Sequence, residues 1–122
     1  MASAMRNGPR FSLGVVRSGT IVNLRQRVSP QVLEISFARM NGWERRTLTF
    51  SAGESVRLSF QSRLSAGSLI VELIAPDGSV AIRWGDSPNA TEDFVAPLPG
   101  KYTLKATASK AAGGYKVEIG TG

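Results

Sequence analysis

Between Gly67 and Asp86 the chain reads GSLIVELIAPDGSVAIRWGD, two apolar runs on either side of Ala75-Pro76-Asp77-Gly78. Proline presets the first corner of a turn, aspartate caps backbone two residues on, and glycine tolerates positive φ, so these four residues predict a β-hairpin. Leu69, Val71 and Leu73 point to one face of the first strand and Ile70 and Ile74 to the other. A strand apolar on both faces is predicted to lie in the middle of a sheet. Its partner, Val80 to Trp84, alternates and is predicted to be half-buried.

Outward from this hairpin the same period of two recurs. Upstream, Phe11, Leu13 and Val15 alternate with Ser12 and Gly14, and after an Arg17-Ser18-Gly19 turn Val22, Leu24 and Val28 continue the pattern. Gln26 falls on the apolar side of this second run, which marks an edge strand. Leu33, Ile35 and Phe37 form a third, and Met40-Asn41-Gly42-Trp43 supplies an Asn-Gly pair that predicts a tight hairpin turn. Leu48 and Phe50, then Val56, Leu58 and Phe60, form another hairpin around Gly53. Downstream come a short run from Thr91 to Val95, a Pro-rich break, and two alternating runs, Tyr102 to Ala108 and Tyr115 to Ile119, divided by Gly113-Gly114. No helical period persists, so the expected fold is all-β: a single-domain antiparallel β-sandwich of eight or nine short strands. Residues 1–10 are expected to be a flexible segment or an added leader, and residues 11–122 the sandwich.

The 122 residues contain neither cysteine nor histidine, which removes disulfides, thiolate nucleophiles, imidazole bases and most transition-metal sites. General acid–base work is left to carboxylates, lysine and tyrosine. Glu92 and Asp93 are adjacent and so point to opposite faces of a strand, and no serine sits in a Gly-Xaa-Ser-Xaa-Gly setting. An enzyme is not expected. No run reaches the length needed to span a bilayer as a helix.

The net charge of +6 is uneven, because the arginines crowd into the first half of the chain. Arg25, Arg27, Arg45 and Arg46 are the candidates for a polyanion-binding patch, on the expectation that they share one sheet face. Trp43, beside the Asn41-Gly42 turn, is the candidate for stacking on a sugar ring, while Trp84, Tyr102 and Tyr115 occupy apolar strand faces and are expected in the core. No cofactor is expected. Calcium is the one metal left open, with Asp77, Asp86, Asn89 and Asp93 as oxygen donors, although turn chemistry accounts for most of these residues.

Three segments then carry a resemblance: Gly67-Ser68-Leu69 through Pro76-Asp77-Gly78, Phe94 through Pro99-Gly100-Lys101-Tyr102 to Ala106, and Gly114-Tyr115-Lys116-Val117-Glu118-Ile119. Together they resemble the bacterial pre-peptidase C-terminal type of jelly-roll module, and are similar to small sandwich domains of bacterial surface lipoproteins. The resemblance implies jelly-roll-like topology and a non-catalytic binding or adhesion module, extracellular or at the cell envelope, whose signal or anchor is absent from this chain. Its partner would be a glycan or another polyanion at the cell surface. The alternatives are a polyanion-binding protein using an Arg-rich face and a structural subunit that assembles through its strand edges.

Overall fold

A computed structural model describes residues 10–85 and 89–121. They form seven strands: β1 (Arg10–Val22), β2 (Arg25–Val28), β3 (Val32–Phe50), β4 (Ser55–Ile74), β5 (Val80–Trp84), β6 (Asn89–Val95) and β7 (Gly100–Thr121). All pairings are antiparallel. Three strands, β3, β4 and β7, run for 19, 20 and 22 residues, well beyond the usual 3–10. Each passes through both layers of the molecule. The register between β3 and β7 shifts between Phe37 and Gly42, and that between β4 and β7 between Leu64 and Ser68.

These shifts divide the sheet into two halves. One has the order β2-β3-β7-β4-β6, built on residues 32–37 of β3 and 113–121 of β7; the other has the order β1-β3-β7-β4-β5, built on residues 42–50 of β3 and 100–108 of β7. If each long strand is counted as two segments and numbered from β3 onward, the halves read 1-8-3-6 and 2-7-4-5. That interleaving is a jelly roll, with β2 and β1 each added beside β3. The halves face each other across one core, where Phe60 of β4 stacks on Trp84 of β5 at 5.1 Å and Phe50 of β3 meets Phe94 of β6 at 5.5 Å. Leu33, Leu48, Leu58, Val71, Leu73 and Tyr102 are fully buried between them.

The expected antiparallel jelly-roll sandwich is therefore the fold, with its segments joined differently from the sequence expectation. Asn41-Gly42, Arg17-Ser18-Gly19 and Gly113-Gly114 do not turn the chain; each lies inside a continuous strand, which is why seven strands replace eight or nine. The glycines serve close approach instead. Gly19 and Gly42 face each other across β1 and β3 with φ of 103° and 141°, and a Cβ on either would collide with the backbone of the opposite strand. The position of the central hairpin also differs. β7, not β4, is the middle strand of both halves, and Ile70 and Ile74 on the outer face of β4 are only half-buried. β5 is half-buried as its alternation predicts, with Trp84 on the inward side under the facing layer and Arg83 outside. β2 pairs with β3 alone, as expected of an edge.

Candidate binding groove and flanking polar clusters

Strand alternation builds the site. Because Leu33, Ile35 and Phe37 point inward, Glu34 and Ser36 point outward; likewise Val56, Leu58 and Phe60 put Gln61 and Arg63 outside, and Tyr115 and Val117 put Lys116 outside. On the adjoining edge, Arg25 stands opposite Ser36 and Arg27 opposite Glu34. A groove of about 600 Å³ runs over this half, walled by Arg25, Arg27, Gln61, Arg63 and Lys116. Gly113 and Gly114 lie among its lining residues, so at these two positions the middle strand adds no side chain to the groove. Among the described residues Glu34 is the single carboxylate lining it.

Charge pairing leaves part of this face available. Arg27 meets Glu34 at 3.7 Å and Lys116 meets Glu118 at 3.1 Å, both partly solvated pairs that contribute about 1 kcal/mol or less. Farther along the same face Arg57 donates from Nε to Asp93 Oδ1 at 2.8 Å. That hydrogen bond first, and the opposite charge second, hold the Asp93 carboxyl below and the Arg57 guanidinium above their ordinary pKa values. Arg25 and Arg63 have no ion-pair partner among the described residues.

The opposite outer face lies over β1, β3, β7 and β4. Trp43 is half-buried there, with the Arg45 guanidinium 4.3 Å from its ring centroid and Lys105 Nζ at 5.8 Å. Arg45 and Lys105 stand directly opposite in register, and neither is ion-paired among the described residues. A cation held over an indole contributes about 0.5–1 kcal/mol at such exposed sites and fixes the position of its charge.

Inside the sandwich lies a polar cluster. Glu44 and Arg46 are 1% and 2% exposed and ion-paired at 2.5 Å. Glu44 Oε1 also accepts from Arg17 at 3.2 Å, Glu44 Oε2 from the Tyr115 hydroxyl at 3.4 Å, and Gln26 Oε1 from Arg46 at 2.7 Å. Burial, then the negative charge of Glu44, drives the Tyr115 hydroxyl far above the ordinary tyrosine range. The cluster ties β1, β2, β3 and β7 together across both halves.

The expected four-arginine patch is not formed. Arg25 and Arg27 stand on the groove face because β2 pairs with residues 33–36 of β3, Arg45 stands on the opposite face in the other half, and Arg46 is interior because consecutive residues of a strand point to opposite sides. Asp77 caps its own turn, accepting from the Ser79 hydroxyl at 2.6 Å and the Ser79 backbone at 3.0 Å, which lowers its pKa. Asn89 and Asp93 lie on β6, and Asp86 lies outside the described residues. No group of three carboxylates gathers around a point among the described residues. Trp84, Tyr102 and Tyr115 are in the core. Sequence reasoning missed Gln61, Arg63 and Lys116, whose outward phase was readable, and also the interior cluster. Its signal was present too: Gln26, Glu44 and Arg46 occupy inward positions of otherwise apolar alternations.

No protein-family model and no curated protein sequence matches the chain. Among solved structures it is similar to the enzymatically active domain of tailspike protein 4 of bacteriophage CBA120, at 12% identity and a TM-score of 0.47 over 88% of this chain. The chain spans 18% of that protein's length. It is also similar to BiXyn10A CBM1, at 13% identity and a TM-score of 0.46, covering 93% of this chain and 95% of that one. A third similarity, at 10% identity and a TM-score of 0.45 over 90% of this chain and 98% of the other, is to the carbohydrate-binding module CBM6cm-2 of Cellvibrio mixtus lichenase 5A, solved with cellotriose. No helix among the described residues is long and apolar enough to cross a membrane.

Proposed function

We propose that the protein is a non-catalytic binding module that lays an acidic glycan along the groove over β2, β3, β7 and β4. The groove itself carries this proposal: about 600 Å³ of open space whose walls present guanidinium, ammonium and amide donors. Arg25 and Arg63 are positioned for carboxylate or sulfate groups, which guanidinium binds with two parallel hydrogen bonds. Gln61 offers an amide to hydroxyls. A single carboxylate, Glu34, already engaged by Arg27, does not make the pair that glycoside hydrolysis uses. A setting outside the cell or at its envelope, as the family resemblance implies, is where such polymers are met.

Retention on immobilised heparin compared with a plain sulfonate resin tests this. The wild type should elute from heparin at clearly higher salt than from sulfonate, and Arg25→Gln with Arg63→Gln should narrow the difference. Equal retention on both resins, or no effect of the two substitutions, would overturn the groove as a glycan site.

A further inference from the structure

We propose that the module carries a second acidic-glycan contact on its opposite outer face, centred on Trp43, Arg45 and Lys105, and therefore bridges two polymer chains. The proposal rests on the groove reading only in assigning the same ligand class to both faces. Its own evidence is separate. Arg45 and Lys105 come from neighbouring strands, stand in direct register, and both lie over the Trp43 ring, at 4.3 and 5.8 Å. No carboxylate pairs with either among the described residues. Two long flexible cations would normally lose much rotamer freedom on gripping an anion. Here the indole already holds both near one spot, so less freedom is left to lose. The surroundings supply hydroxyls beside one apolar and one acidic neighbour. In register, Trp43 stands beside Ser18 and Thr107, and the pair after Arg45 and Lys105 along β3 and β7 is Thr47 with Thr103. Val16 of β1 flanks Arg45, and Glu72 of β4 flanks Lys105 without a salt bridge. A sulfate or uronate on Arg45 and Lys105, with sugar hydroxyls on the serine and threonines, fits that chemistry.

Bridging follows from the fold. Arg25 and Arg63 leave one half of the sandwich and Arg45 and Lys105 leave the other, and the two halves share one core. Their backbones are about 10 Å apart, as packed sheets are, with the cations directed away from each other. One short ligand cannot wrap both faces, whereas two separate chains can each take one.

Calorimetry with a heparin-derived tetrasaccharide, and light scattering with full-length heparin, test this with Trp43 as an internal probe, since Trp84 is buried. The wild type should bind two tetrasaccharides, change its tryptophan fluorescence, and scatter strongly with the long polymer. Arg45→Gln with Lys105→Gln should leave one tetrasaccharide bound, abolish the fluorescence change and lower scattering at least tenfold. Arg25→Gln with Arg63→Gln should also leave one, with the fluorescence change intact. One tetrasaccharide on the wild type, with affinity unchanged by the Arg45 and Lys105 substitutions, would overturn the second site and leave the groove standing. Binding lost only through Arg45 and Lys105 would overturn the groove and bridging together. Equal binding of duplex DNA of matched charge at both faces would overturn the glycan assignment.

Discussion

Arg46 and Glu44, two positions apart on β3, point the same way into the core and meet at 2.5 Å, with side chains 1% and 0% exposed. Neither charge has bulk water to fall back on. Truncating one partner strands the other, so Arg46→Met should destabilise by about 3–5 kcal/mol. The joint change of Glu44→Leu and Arg46→Met should recover part of that loss, because Arg17 and Gln26 at the rim reach solvent and only the buried Tyr115 hydroxyl is left without its Glu44 partner. Denaturant unfolding of the two single variants and the double gives the coupling; additive losses would show that the pair is not a unit.

Alkaline pH should expose the role of Tyr115. Its folded pKa is raised, so its contribution is fully present below the unfolded tyrosine value of about 10 and is lost as pH rises beyond it, when the unfolded chain ionises and the folded one resists. Stability should fall more steeply above about pH 10 in the wild type than in Tyr115→Phe. Identical slopes would mean that the buried hydroxyl ionises in place.

Gly42→Ala should destabilise by several kcal/mol, more than the roughly 0.5–1 kcal/mol by which glycine and alanine ordinarily differ, since its φ is 141° and an added Cβ meets the Ser18 carbonyl. Gly53, also at positive φ in the β3–β4 turn, has open space around it, and its alanine variant should cost less. A thermal melt of both variants ranks them.

On β4 the two faces should respond unequally. Leu73 is fully buried between the halves, and Leu73→Ala should cost about 2–5 kcal/mol; Ile74→Ala, on the half-exposed outer side, should cost less. Equal losses would mean that the outer face is covered in solution.

What the sequence disclosed was the alternation. Apart from Leu24, in the break between β1 and β2, the apolar positions read from period two lie in strands, and Trp84, Tyr102 and Tyr115 are in the core as their phase requires. It did not disclose what the glycines were for. An Asn-Gly pair between apolar runs is the same local signal whether the chain reverses or bends between layers, and only the presence of Gly19 across from Gly42 decides it. The groove was half legible. Arg25 and Arg27 share a face by strand alternation alone, but their companions Arg63 and Lys116 arrive from strands far along the chain, and pairing at that distance leaves no local mark. Arg46 departs from the expected patch because it lies two residues before Leu48 and shares its inward phase.

The place of β7 has a consequence for how the molecule is made. β3 and β4 do not pair with each other; both pair with β7, along nearly its whole length in each half. Of the seven strands the ribosome delivers β7 last. Until Gly100 and the residues after it emerge, the growing chain holds hairpins whose apolar faces have no layer to close against, and whose inner edges are open to other chains. Nascent chains stopped before Gly100 should therefore be protease-sensitive and prone to associate, and protection should appear in one step once Thr121 is free, rather than growing strand by strand.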